Sequence, residues 1–265
     1  FILDHYIYTP KKYLKPIQEF WKTKYDLIIF DNHPVEQNKT EWKNFLRVFA
    51  KKILSQKTSL ALLPGYDVEM ETFSLYMSLL DLKLKSPLIT LDNEYMWNIN
   101  ANWSSFFPFT NDNFSAVKNF NNPPLYLDME VDSVGANVLA NFYISDVKIP
   151  LVLIKEKHPL RGLLFTSPDL NRIFFEGNDY SQKVKNNIFN PIFSWLMKTG
   201  NSNEFYFRTD KNIYQQGEQI KVIGKSINNK KIINGIINIF SNGEKINSKP
   251  INFNSETSLY TGKFW

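Results

Sequence analysis

Hydrophobic residues in this chain follow one rhythm up to about residue 90 and another after residue 204. Near the start, Asp26–Asp31 (DLIIFD) and Ser59–Leu63 (SLALL) are short apolar runs bounded by polar residues. That is the signature of strands buried on both faces. Residues 1–8 (FILDHYIY) also read as a strand, followed by Pro10 and a helix around Pro16–Thr23. Between the two buried runs, Trp42, Phe45, Leu46, Phe49 and Ile53 recur at helical spacing, predicting a helix from about Lys39 to Leu54. Thr40 and Glu41 suit its N-terminus. Pro64-Gly65 stops the second run, and Phe73, Met77, Leu80 and Leu84 make one stripe of a further helix over Glu71–Leu84. Strand, helix, strand, helix with short connections predicts a parallel sheet covered by helices.

The middle is less regular. Residues 92–124 hold Trp97, Trp103, Phe106, Phe107, Phe109, Phe114 and Phe120 among Asn, Pro and Ser, and read as a long insertion. Strands are expected at 125–131, 136–144, 150–156 and 160–166, the last two forming a hairpin through Lys157-His158-Pro159. A helix over Gln182–Met197 precedes Gly200-Asn201-Ser202-Asn203, a polar linker that divides the chain into regions 1–200 and 204–265. Beyond it the pattern alternates in twos, with Phe205 and Phe207, Ile220 and Val222, and Ile233, Ile237 and Ile239. Turn signals stand at Gln216-Gly217, Asn228-Asn229, Asn242-Gly243 and Asn254-Ser255. Short strands at this spacing predict an immunoglobulin-like sandwich, shortened relative to the ~100 residues usual for that fold.

Composition narrows the chemistry. The chain has 265 residues, 43% hydrophobic and 15% aromatic, which excludes a disordered protein. The net charge of +5 comes from scattered lysines, a pattern that fits a solvated surface better than a nucleic-acid interface. There are no cysteines, which removes disulfides, thiolate metal sites and cysteine nucleophiles. Phosphate-binding glycine loops do not occur in the sequence either. No nucleic acid, cofactor or metal is therefore expected as a partner.

Four segments together resemble a known family. Residues 25–34 (YDLIIFDNHP) and 45–66 (FLRVFAKKILSQKTSLALLPGY) resemble the core of the class I glutamine-amidotransferase-like fold, a flavodoxin-like α/β architecture. More narrowly they are similar to a non-enzymatic branch found in large bacterial membrane proteins. Residues 161–196 resemble a later segment of that branch, and residues 208–223 (RTDKNIYQQGEQIKVI) resemble the opening of macroglobulin-type immunoglobulin-like domains. The resemblance implies an α/β parallel-sheet domain over 1–200 whose first strand is missing. It also implies a truncated immunoglobulin-like β-sandwich over 204–265. Active members of the wider fold carry a cysteine on the elbow after the second strand. Here that loop reads Pro64-Gly65-Tyr66-Asp67, so the resemblance implies a pseudoenzyme.

Three constellations are candidates for binding. Asp31, His33, Tyr66 and Asp67 fall near the carboxyl ends of the expected parallel strands, where open α/β sheets bind ligands. Their alternative readings are turn formation at Asp31-Asn32, loop punctuation at His33-Pro34, and helix capping by Asp67. Asp128, Glu130 and Asp132 alternate along a strand and could hold a hard cation or simply face solvent. Trp97 and Trp103 could stack on sugars or a protein partner, or pack as a lid on the core.

No catalytic residue is assigned. The expected function is a non-catalytic, extracytoplasmic scaffold or protein-interaction region. It would belong to a bacterial protein tethered to the membrane by segments outside this chain, and its partner would be a protein. The alternatives are a ligand sensor or hydrolase-like enzyme using the crevice near Asp31 and Asp67, and a carbohydrate-binding module.

Overall fold

A computed structural model describes residues 2–86, 94–100, 123–144, 146–175, 189–197, 205–211, 214–226, 235–241, 244–257 and 259–265. In chain order the first region contains α1 (Ile17–Lys22), β1 (Leu27–Asp31), α2 (Lys39–Gln56), β2 (Ser59–Leu63), α3 (Met70–Ser78) and β3 (Lys83–Ser86). Then come β4 (Glu94–Tyr95), β5 (Trp97–Ile99), β6 (Leu125–Tyr126), β7 (Glu130–Asp132), β8 (Asn137–Ile144), β9 (Val147–Lys157) and β10 (Leu160–Phe165). Helices α4 (Arg172–Phe175) and α5 (Asn190–Leu196) follow.

Six strands form one sheet in the order β1-β2-β10-β9-β8-β5. β2 pairs parallel with β1 on one side and with β10 on the other. From β10 outward every pairing is antiparallel, through β9 and β8 to β5. The sheet is therefore mixed. Among the described residues, strand makes up 43% and helix 24%, which is β-rich. This corrects the parallel-sheet, flavodoxin-like α/β class expected from the sequence. The physical reason is that a run buried on both faces looks the same whichever way its neighbour runs. Burial reports what covers a sheet, not the direction of its strands.

Alternate residues of β2 feed two cores. Leu60 and Leu62 join Ile28, Phe30 and Leu164 beneath Trp42, Phe49 and Ile53 of α2 and Phe73, Tyr76 and Met77 of α3. Ala61 and Leu63 point the other way, joining Leu163, Phe165, Ile192, Trp195 and Leu196. The α2 side is unusually aromatic: Phe30 lies 5.2 Å from Trp42, 5.2 Å from Phe49 and 5.0 Å from Tyr76, ring centre to ring centre. Offset and edge-on contacts of this kind add to the stabilisation from burial. On the opposite face, the carbonyls at the end of α5 lack intrahelical partners. Ser59 Oγ donates to Leu196 O, and the buried Arg161 guanidinium donates to Trp195 O at 2.7 Å. Arg161 also lies 5.0 Å over the Trp195 ring.

The N-terminal arm is not a strand. Among the described residues of 1–8 only Tyr8 makes a bridge, to Tyr13. Side chains hold the arm instead. Trp42 Nε1 donates to Tyr13 Oη at 2.6 Å, Tyr25 Oη donates to Asp4 at 3.0 Å, and Lys15 pairs with Asp4 at 2.8 Å. Lys52 supports the same corner from α2, donating to the carbonyls of Trp21 and Thr23.

Other boundaries also shift. α3 stops at Ser78, short of the expected Leu84, and the chain turns through Asp81 (φ 55°) into β3. The strand expected at 125–131 is two pieces, β6 paired with β4 and β7 paired with β3. The β9–β10 hairpin turns at His158-Pro159 as expected. The linker at 200–203 and the first part of the 182–197 helix lie outside the described residues.

The second region contains β11 (Phe205–Thr209), β12 (Ile220–Ser226), β13 (Gly235–Ser241), β14 (Glu244–Asn254) and β15 (Leu259–Phe264). Their antiparallel pairings run in the order β11-β12-β15-β14-β13. β14 serves two neighbours: Glu244–Ile251 pairs with β13, and Asn252–Asn254 pairs with β15. Phe207 lies where a β-carbon on Gly224 would be, so the ring packs directly on backbone. Asn254 closes the β14–β15 turn by accepting from the amides of Glu256 and Thr257.

Gly162 of β10 faces the methyl groups of Leu80 with no room for a β-carbon. Gly162→Ala should therefore destabilise the first region by about 1–3 kcal/mol through overpacking. Urea denaturation checks this, and in a double-mutant cycle the cost of Gly162→Ala should be smaller in a Leu80→Ala background, although Leu80→Ala is itself destabilising.

Candidate functional site

The three parallel strands end side by side, β1 at Asp31, β2 at Leu63 and β10 at Phe165, and each continues into a polar loop. Asn32 follows β1 in the left-handed region (φ 49°), a conformation Asn tolerates better than most residues. Its amide donates to Leu63 O at 2.9 Å, extending the β1–β2 ladder by one bond. Its side chain clasps the β2 loop: Nδ2 donates to Asp67 Oδ2 at 3.2 Å, and Oδ1 accepts from the Asp67 amide at 3.1 Å. Gly65 permits this approach, because a β-carbon there would overlap the Asn32 side chain.

The β2 loop is fixed on its other side to the loop after β10. Tyr66 Oη donates to Asp169 Oδ1. Asp169 is only 2% exposed and its other oxygen accepts from the Tyr126 amide at 3.0 Å. Arg172 Nη1 bridges Asp169 at 3.4 Å and Glu94 at 2.7 Å. Burial and the bond to Asp169 push the Tyr66 phenol well above its ordinary pKa, so it stays a donor. The result is a chain of polar contacts, Asn32–Asp67 and Tyr66–Asp169–Arg172–Glu94, tying the ends of three strands together.

The sequence candidates fare differently. Tyr66 and Asp67 belong to this network, although their side chains lean apart, toward β10 and β1 respectively. Asp31 is exposed at the end of β1 and takes no part in the network. His33 turns to the opposite side of the sheet. Its ring sits 4.5 Å from Trp42 and 5.2 Å from Phe30, and Asn38 Nδ2 approaches Nδ1 at 3.5 Å. The expected crevice of Asp31, His33, Tyr66 and Asp67 is therefore not assembled as a unit, because the turn at Asn32 sends the next side chain into the aromatic core. Asp67 does not cap α3; Glu69 does, accepting from the Thr72 amide at 2.8 Å.

The partners that sequence reading missed are Asn32, Tyr126, Asp169, Arg172 and Glu94. A signal existed in Ser167-Pro168-Asp169, which follows a buried strand as Pro64-Gly65 does. It gains meaning only once β10 is known to lie parallel beside β2.

Of the remaining candidates, Glu130, Asp132 and Trp97 make structural contacts. Glu130 pairs with Lys85 at 3.1 Å and Asp132 accepts from the Val134 amide at 3.1 Å. Asp128 stands apart from both, its amide bonded to Thr166 O at 3.3 Å. Among the described residues, no three His, Cys, Asp or Glu side chains are grouped to hold a metal ion. Trp97 is 3% exposed and donates to Pro123 O at 3.0 Å, so it offers no face to a sugar. Trp103 lies outside the described residues.

Comparison with known proteins adds little. No family model matches the chain, and no curated protein does. A solved β-galactosidase from Bacillus circulans sp. alkalophilus aligns over 91% of this chain at 8% identity with a TM-score of 0.33. The chain spans 32% of that enzyme's length, and a likeness this loose carries no inference about fold or activity.

Two buried titratable groups make opposite predictions. Burial lowers the His33 pKa to about 4 from 6.5. Between those values the unfolded chain binds a proton that the folded state refuses, so stability falls as the pH drops. Burial raises the Asp128 pKa to about 6 from 3.8. There the folded state keeps the proton longer, so stability falls as the pH rises through that window. Relative to the unmodified chain, His33→Gln should lose less stability between pH 6.5 and 4, by about 3 kcal/mol. Asp128→Asn should gain about 1–2 kcal/mol at pH 7, discounted for solvent screening, and nothing at pH 4. Urea denaturation of the three proteins across this range measures both differences.

Proposed function

We propose that this chain is a non-catalytic scaffold or protein-interaction region of a larger bacterial protein, held at the membrane by other segments and working outside the cytoplasm. One observation carries the non-catalytic part of the reading. Asp31 apart, the polar side chains at the strand ends are committed to one another, Asn32 with Asp67, and Tyr66 and Arg172 with Asp169. A catalytic group needs a lone pair or proton free to meet substrate. Here those atoms hold loops in place. His33, the nearest candidate base, is enclosed by Trp42 and Phe30, with Nε2 buried and no hydrogen-bond partner among the described residues.

The site loop supports the same reading from the sequence. Pro64-Gly65-Tyr66-Asp67 stands where the resembled enzymes carry a cysteine. The extracytoplasmic setting and the tether rest on the resemblance to the non-enzymatic branch. No helix among the described residues is long and apolar enough to cross a membrane, so on this reading the anchor lies elsewhere in the protein.

Fractionation of the source cells tests the proposal. An antibody raised against this chain should find it in the membrane fraction, resistant to protease in intact cells and cleaved once the outer barrier is opened. A freely soluble cytoplasmic protein would overturn the reading. If the strand-end network is structural, Asp169→Asn should lower stability by about 1–3 kcal/mol, since a buried acceptor of three donors is weakened. Thermal denaturation reads that change.

A further inference from the structure

Residues 2–14, the N-terminal arm, are joined to the first region by side chains. The arm's backbone hydrogen bonds run within it, Thr9 with Lys12 and Leu14 with Ile7, and among the described residues none reaches the sheet or a helix. Two clusters fasten it. At one, Asp4 accepts from Lys15 and from Tyr25 Oη. At the other, Tyr13 Oη accepts from Trp42 Nε1 at 2.6 Å and from Asn38 Nδ2 at 3.3 Å, and the Tyr13 ring lies 6.4 Å from that of His33.

The second cluster suits only the neutral form of His33. Asn38 Oδ1 accepts from the Val35 amide at 2.9 Å, so its NH2 group faces Tyr13 Oη and His33 Nδ1. Nδ1 is then the bare nitrogen, and the imidazole proton sits on Nε2, which is buried without a hydrogen-bond partner. A second proton would set a ring N–H against the Asn38 NH2 group and leave a charge among Trp42, Phe30 and Tyr13. The titratable groups around the ring are Tyr13, with Tyr8 and Glu41 beside it, Tyr76 beyond Phe30, and Glu69, whose amide donates to Pro34 O. None of them hydrogen-bonds to either ring nitrogen, so none receives that charge. Phe30, Trp42 and Tyr76 are core residues of β1, α2 and α3, which leaves the arm as the element free to give way.

We propose that residues 2–14 form an acid-released flap over the aromatic core. Charging His33 lifts the Tyr13 end, neutralising Asp4 frees the other end, and the rest of the first region stays folded. Both fasteners act with the same sign. Burial makes the closed flap exclude a proton that His33 takes up once wetted, so closure weakens as the pH falls from 6.5 toward 4. Lys15 and Tyr25 hold the Asp4 carboxyl below its usual range, so that fastener is lost only as the pH falls further. Opening is then local unfolding of the least anchored segment, and it uncovers aromatic rings of α1 and α2.

The chain has no cysteine, so a single nitroxide can be placed on Lys11→Cys in the flap and, in a second protein, on Lys51→Cys of α2, both exposed positions. Electron paramagnetic resonance reads the ratio of mobile to immobile label. On Lys11→Cys that ratio should rise at least about tenfold between pH 6.5 and 4. On Lys51→Cys it should stay constant, with the far-ultraviolet circular dichroism unchanged. Adding His33→Gln to the Lys11→Cys protein should abolish the rise above pH 4. Adding Asp4→Asn should instead loosen the flap about two- to fivefold at pH 7 and leave the His33 step in place. If His33→Gln fails to fold, proton NMR of the labelled Lys11→Cys protein decides, because the His33 ring should titrate at the pH where the label loosens. A label indifferent to pH, a rise that survives His33→Gln, or an Asp4→Asn flap as tight as the original would overturn the proposal. So would loosening of both labels together, or a His33 midpoint apart from that of the label.

Discussion

The first region depends on burying β2 from both sides. All five residues from Ser59 to Leu63 are buried, and their alternation sends Leu60 and Leu62 into one core and Ala61 and Leu63 into the other. A strand in that position can use only its ladder partners to satisfy backbone groups, so β1 and β10 must lie on either side in fixed register. Helices must then cover both faces. The α2 side does so with large rings and the α5 side with a shorter helix whose terminal carbonyls are bound by Ser59 and Arg161. The strand that organises the cores thus also anchors one of the covering helices.

The same constraint explains where the polar chemistry collects. With both faces occupied, the strand ends are where side chains from neighbouring strands can meet water. There the loops after β1, β2 and β10 carry Asn32, Tyr66, Asp67 and Asp169. Their mutual hydrogen bonds restrain loops that would otherwise move independently. The rigidity of the exposed Tyr66 ring is a by-product of that restraint.

Much of the local structure was legible in the sequence, and the long-range part was not. The α2 stripe of Trp42, Phe49 and Ile53 and the run Ser59–Leu63 could be read because each depends on residues close in the chain. The antiparallel half of the sheet could not, because β8, β9 and β10 are equally buried whichever direction β10 runs relative to β2. The site was half visible for the same reason. Tyr66 and Asp67 sit in a recognisable strand-end loop, whereas Asp169 joins them from 103 residues away from Tyr66, a contact no local pattern encodes. His33 was misplaced by a single backbone feature, the positive φ at Asn32, which reverses the side to which the following ring points.

The irregular N-terminal arm has a practical consequence for where this region can be cut. By secondary structure alone, Ile17 looks like a natural place to begin. Yet Tyr13 receives the indole hydrogen of Trp42, Tyr6 packs edge-on against Phe20 at 5.7 Å, and Asp4 ties Lys15 to Tyr25. A fragment trimmed to the first helix would bare the rings of Phe20 and Trp42 and strand an indole donor without its acceptor. Coil, here, is part of the core's outer wall, and the working limit of the region is set by its tyrosines.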